Sequence, residues 1–102
     1  MPRYTLAFSP ESLKEIERII LFYNNASKGL GARFKKSLLT ELALIKRNPL
    51  TRSFRYGEVR FAVVKKFPYA AHYTIDEDTH IIKIQGVFGF SQDSESNWKQ
   101  RF

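Results

Sequence analysis

The sequence predicts an α+β domain: one strand, a two-helix antiparallel hairpin, then a three-stranded antiparallel meander, with the helices packed on one sheet face. Three observations carry this. A short alternating apolar run opens the chain, two apolar stripes at helical spacing follow it, and β-rich runs fill most of the remainder. Neither helix can bury its stripe on the other alone, so both require a sheet to lie on.

Tyr4-Thr5-Leu6-Ala7-Phe8 alternates large and small residues, the pattern of a strand with one buried face. Ser9-Pro10-Glu11 reads as a helix start: a hydroxyl N-cap, proline at the first helical position and an acid in the positive first turn. Leu13, Ile16, Ile20 and Tyr23 form the first helical stripe, and Asn24-Asn25 is the expected end. A second helix opens near Ser27 or Gly29, with Gly29-Leu30-Gly31 as a helix-junction device. Its stripe is Leu30, Phe34, Leu38, Leu42 and Ile45, with Arg33, Lys36, Thr40 and Arg47 on other faces. Pro49 disfavours helix at Asn48 and closes it.

Val59 to Val64, Tyr69 to Ile75 and His80 to Phe88 are the three later strands. Lys65-Lys66-Phe67-Pro68 and the acidic turn Asp76-Glu77-Asp78 separate them. Short connections favour antiparallel pairing, while the pairing direction of the first strand is open. Alternation puts Arg60 and Lys66 on one face and Lys65 on the other. The segment Ser91 to Phe102 is polar apart from Trp98 and Phe102 and has room for one short helix.

A length of 102 residues fits a single domain over 1–102. Hydrophobic residues at 43% supply one core and argue against wholesale disorder. Cysteine is absent, which excludes a disulfide scaffold, a thiolate metal site and a thiol nucleophile. No apolar run reaches the roughly 20 residues of a membrane span, and Met1-Pro2-Arg3-Tyr4 carries no signal-peptide core. A cytoplasmic protein with no membrane partner is the expectation.

The formal net charge is +7, and the excess is local. Residues 24–55 carry eight bases and one acid, Glu41, whereas the flanking segments balance. Such a zone attracts phosphate or an acidic protein segment, and it also fits a solvated helix face.

Metal binding has little support. His72 and His80 stand eight apart without a ligand-like carboxylate cluster, and Asp76-Glu77-Asp78 lacks the ligand spacing of a calcium loop. The five glycines form no phosphate cradle, and no Gly-x-Ser-x-Gly elbow occurs. No cofactor is expected. Metal-free RNA cleavage needs a base, an acid and cations on the phosphate. Arg52, Arg55, Arg60, Lys65 and Lys66 are candidate cations and Tyr69, His72 or Tyr73 candidate proton donors, but no spacing gathers them.

The whole order resembles the RelE/ParE superfamily of toxins from bacterial type II toxin–antitoxin modules, in its plasmid-stabilisation branch. The likeness lies in Phe8-Ser9-Pro10-Glu11, Gly29-Leu30-Gly31-Ala32-Arg33-Phe34, Asn48-Pro49, Val59-Arg60, Lys66-Phe67-Pro68-Tyr69, Tyr73-Thr74-Ile75-Asp76-Glu77, Gly86-Val87-Phe88 and Trp98. RelE-like ribonucleases of that superfamily place cations on the middle strands and an arginine after the last strand. Here the matching positions are Phe61, Val63 and Ala70, and Gly89, Phe90, Ser91 and Gln92 stand where many relatives carry His and then Arg. No catalytic residue is therefore transferred, and the reading leans away from an enzyme.

The resemblance implies a ParE-like toxin that binds a target such as DNA gyrase and is neutralised by a cognate acidic antitoxin. One alternative is a RelE-like ribosome-dependent mRNA endonuclease. Another is a non-toxic member that keeps only antitoxin binding. The basic zone and the resemblance together nominate Arg33, Lys36, Arg52, Arg55, Arg60, Lys65 and Lys66 as partner-binding residues.

Overall fold

A computed structural model describes residues 3–90. In chain order its elements are β1 (Thr5–Phe8), α1 (Pro10–Ala26), α2 (Leu30–Arg47), β2 (Phe54–Tyr56), β3 (Val59–Val63), β4 (Tyr69–Asp76) and β5 (Ile81–Gly89). The strands form one sheet in the order β1-β5-β4-β3-β2. From β2 to β5 the sheet is an antiparallel meander, whereas β1 lies parallel to β5, with Thr5 opposite Ile81 and Phe8 opposite Ile84. This settles the direction of the first strand. The sheet also gains an edge strand, β2, which three residues are too few to announce by alternation.

Ser9 starts α1 as expected. Its Oγ accepts from Ser12 N at 3.0 Å and donates to the Gln85 carbonyl at 2.9 Å, tying the helix start to β5. Ser12 is thereby buried, and Ile19 rather than Leu13 continues the sheet-facing line; Leu13 is 50% exposed. Leu13 stands one residue, about 100° of helical rotation, beyond Ser12, which turns it away from the sheet. The helix also runs past Asn24-Asn25 to Ala26. Asn24 is spent otherwise: its Oδ1 accepts from Gly31 N at 2.8 Å.

That contact explains the junction. Gly29 caps α2 at φ 82°, in the left-handed region that glycine enters at no steric cost. A Cβ on Gly31 would press on the Ile20 carbonyl and stand 2.6 Å from Asn24 Cγ, so the two helix backbones approach as closely as glycine permits. On α2 the expected stripe holds: Phe34, Leu38, Leu42 and Ile45 are buried, with Leu30 half-buried.

The core lies between this stripe and Ala62, Val64, Ala71, Tyr73, Ile82, Ile84 and Val87. A bulge in β5 leaves Gln85 between Ile84, opposite Tyr73, and Gly86, opposite His72. One extra residue shifts the side-chain phase, which is why Ile82 and Ile84 and then Val87 all face the helices.

Candidate partner-binding surfaces

The seven cations nominated from sequence fall into two groups. Arg33 and Lys36 lie exposed on the N-terminal half of α2. Ser37, between them and the sheet, donates its hydroxyl to the Lys65 carbonyl at 2.8 Å and so ties the β3–β4 turn to the helix. Lys65 and Lys66 are exposed on that turn. Because β3 ends at Val63, strand alternation does not extend to them; Lys66 instead sits at φ 72°. The turn is closed by Val64 N donating to the Tyr69 carbonyl at 2.8 Å and Phe67 N to the Val64 carbonyl at 3.1 Å.

The second group surrounds β2. Arg52 donates from Nε and Nη2 to Glu41 Oε2 at 2.9 and 2.7 Å, so the single acid of the basic zone is matched by one of its arginines. Arg60 Nη1 donates to the Arg52 carbonyl at 2.6 Å and the Leu50 carbonyl at 3.3 Å. Its guanidinium lies 4.0 Å from the Phe54 ring centroid. Arg55 lies over Phe61 at 5.7 Å. Arg52 and Arg60 therefore brace the connection from α2 to β2 as well as carrying charge. Tyr73 joins them from the core, its hydroxyl donating to the Pro49 carbonyl at 3.3 Å. Burial pushes the Tyr73 phenol up to about 12, against the lowering influence of Arg52 and Arg60.

The opposite face, on which no described helix packs, is built differently. Phe61 pairs with His72, Val63 with Ala70, and Ala70 with Phe88. Phe61, Val63 and Ala70, the positions matching the middle-strand cations of RelE-like ribonucleases, thus share one apolar face. His72 is wholly buried there. Its Nδ1 is 3.1 Å from the Tyr56 hydroxyl and its ring meets Phe88 edge-on at 5.0 Å.

Asp76-Glu77-Asp78 forms the expected hairpin turn. Asp76 Oδ1 accepts from Asp78 N at 3.0 Å and Thr79 N at 3.2 Å, and the Thr79 hydrogen bonds foremost hold its carboxyl below the usual range. Among the described residues no group of three or more His, Asp or Glu is placed to hold a metal ion. Nor is any described helix long and apolar enough to cross a membrane.

Sequence periodicity did not single out the outer surface of the hairpin. Leu21 and Phe22 on α1 and Leu39 on α2 are exposed, and Leu39 lies in a shallow hollow with Ala32, Lys35, Lys36, Thr40 and Ala43. Each of these apolar residues adjoins a stripe residue, so only the three-dimensional rotation of the helices separates them from the core.

The family model described as the ParE toxin of the type II toxin–antitoxin system parDE matches residues 6–93. The chain belongs to this ParE toxin family. Among solved structures, the chromosomal ParDE toxin–antitoxin system of P. aeruginosa is similar with a TM-score of 0.74 at 10% identity, covering 85% of this chain and 96% of that one. The RelBE2 toxin–antitoxin complex of Mycobacterium tuberculosis is similar with a TM-score of 0.58 at 17% identity, covering 86% and 99%. At such identities the structural likeness shows the fold. No curated protein sequence matches the chain. The ParE-family assignment and the fold agree with the order of elements derived from the sequence.

Proposed function

We propose that this ParE-family chain is the toxin of a plasmid-stabilisation module, held inactive by a cognate acidic antitoxin, and that it acts by binding a target such as DNA gyrase. The observation that carries the mode of action is that Phe61, Val63 and Ala70 of one sheet face stand where the resemblance places the cations of RelE-like ribonucleases. Cleavage by a 2′-hydroxyl builds negative charge on phosphate oxygens, and cations must be aimed at that charge. Phenylalanine, valine and alanine supply none, and the exposed Val63 beside the half-buried Phe61 suits contact with a protein rather than with a phosphate.

The antitoxin reading rests on charge and family. Arg33 and Lys36 are exposed on α2 and Lys65 and Lys66 on the β3–β4 turn that Ser37 holds against it, and the only acid of residues 24–55 is paired with Arg52. Arg52, Arg55 and Arg60 extend the positive field at the β2 end. An acidic segment that folds as it binds covers such a surface at an ordering cost, and charge attraction speeds encounter more than it deepens final affinity.

The experiment is expression with and without the product of an adjacent short acidic reading frame, followed by supercoiling assays with purified gyrase. Growth arrest relieved by co-expression, with inhibited supercoiling, supports the proposal. Arrest with intact supercoiling and codon-positioned mRNA cuts would transfer the chain to the endonuclease class. Unimpaired growth, with a stable complex between the two products, would identify a non-toxic member that keeps only antitoxin binding.

A further inference from the structure

We infer that the β2–β3 edge is a stacking site for single-stranded nucleic acid, bound without being cut. This goes beyond the antitoxin and target reading and uses a different part of the surface from the α2–turn cluster.

The edge is built of alternating arginine and aromatic residues: Phe54, Arg55 and Tyr56 on β2, then Arg60 and Phe61 on β3. They are already assembled into two guanidinium–ring pairs. Arg60 lies 4.0 Å over Phe54, and Arg55 lies 5.7 Å over Phe61. The pairs occupy the two sides of the edge, since Phe54 stands opposite Arg60 in the ladder and Phe61 is the next residue along β3.

The Arg60 guanidinium is held in place by the carbonyls of Arg52 and Leu50, so its plane is set before any ligand arrives. Phe54 nevertheless remains 56% exposed, an expensive state for a ring whose only task is packing. A fixed guanidinium plane on an exposed ring is the surface on which nucleobases stack, because every base has a π face and the arginines meet the phosphates. The electrostatic context agrees. The formal net charge is +7, Glu41 is paired with Arg52, and Glu58 on the β2–β3 turn is the single acid among residues 54–61, against Arg55 and Arg60. An acidic peptide would use the same charge, yet it has no use for exposed rings alternating with arginine. Duplex DNA hides its base faces and is disfavoured on the same ground.

The test is fluorescence anisotropy of the full-length protein with labelled oligo-dT, oligo-U, a duplex and polyglutamate, the oligonucleotides about 12 nucleotides long. Both single strands are expected to bind; which binds more tightly distinguishes DNA from RNA. With two arginines on phosphates, affinity should fall roughly sevenfold between about 50 and 200 mM salt. Phe54→Leu keeps apolar bulk but removes the π face, and should weaken binding at least about fivefold. Arg55→Gln should lower the logarithmic salt slope by about 0.7. Thermal unfolding of both variants verifies that they fold, and gel analysis of the oligo-U verifies that it stays intact.

No binding of either strand at low salt, equal or tighter binding of duplex or polyglutamate, or an unchanged affinity in folded Phe54→Leu overturns the inference. Antitoxin neutralisation, measured on Phe54→Leu, should be unaffected. Loss of strand binding with neutralisation intact therefore separates this site from the antitoxin surface.

Discussion

Glu15 on α1 reaches β5, where its Oε1 accepts a hydrogen bond from the Val87 backbone N at 3.1 Å. The contact is a consequence of unequal strand lengths. β1 ends at Phe8 opposite Ile84, while β5 runs on to Gly89. Past that point Ser9 accounts for the Ile84 and Gln85 carbonyls, and a carboxylate from the helix takes the place of a missing strand at Val87. Glu15→Ala removes the acceptor and leaves a part-buried N–H, an expected loss of about 1–3 kcal/mol. Glu15→Gln keeps an oxygen acceptor and should lose less. Urea unfolding of the two variants gives the comparison, and equal midpoints for Ala and wild type would show that the contact contributes nothing.

Gly31→Ala tests the close approach of the helices. The added Cβ meets the Ile20 carbonyl and Asn24 Cγ, the latter at 2.6 Å, and the carbonyl cannot swing aside without bending α1. Overpacking of this kind usually costs about 1–3 kcal/mol, although alanine is the better helix former. The sign is informative. A variant more stable than the parent in thermal unfolding would mean that the helices separate freely at this point.

Leu38→Ala addresses the core itself. Leu38 is 1% exposed between α2 and the sheet, and truncation of such a side chain costs about 2–5 kcal/mol. Set against a total of roughly 5–15 kcal/mol for a domain, this is a large share. The denaturant midpoint should fall sharply; an unchanged midpoint would contradict the packing of α2 on β3 and β4.

How much of this was legible in the sequence depends on distance along the chain. The α2 stripe was readable because Phe34, Leu38, Leu42 and Ile45 repeat within one element, and the Ser9 cap because its partner Ser12 is three residues away. Leu13 was misplaced because the rotation of α1 is set by Ser9 bonding to Gln85, 76 residues distant. The β2 strand was missed because three residues with an exposed Phe54 carry no period. Among the cations, sequence marked the zone but did not divide it. The stacking of Arg60 on Phe54 comes from the return of β3 along β2, and the pairing of Arg52 with Glu41 from the turn of the chain after α2; no local spacing encodes either.

Tyr73 gives the fold an alkaline limit. Its hydroxyl is pushed up to about 12, foremost by burial, so the folded state holds the proton more tightly than the unfolded chain, where tyrosine titrates near 10. The resulting stabilisation is fully present below about pH 10 and is lost as pH rises through about 12. Tyr73→Phe gives up the hydrogen bond to Pro49, about 1 kcal/mol at neutral pH, but also the ionisation. Its urea midpoint should therefore decline less than that of the parent between about pH 9 and pH 11. Parallel declines would assign the alkaline limit to other groups.

The last prediction concerns cleavage: with translating ribosomes and messenger RNA, this chain should make no codon-positioned cuts. Arg60 is the one lysine or arginine within β3 and β4, and its Nη1 is tied to the Arg52 and Leu50 carbonyls while its plane rests on Phe54. Lys65 and Lys66 lie on the β3–β4 turn, at the other end of β3. Between them the sheet face opposite α1 and α2 offers Phe61, Val63 and Ala70, and the Tyr56–His72 pair is sequestered, with His72 wholly buried. Removing one oriented donor from a site that stabilises a developing oxyanion typically costs a hundredfold or more in rate, and here no such set converges. Primer extension at nucleotide resolution checks the outcome. Cuts made by the parent and abolished in an Arg60→Ala, Lys66→Ala double variant would show that two cations at opposite ends of β3 cooperate after all. That result would require the turn to fold over the sheet face during catalysis, a rearrangement opposed by the bond from Ser37 to the Lys65 carbonyl.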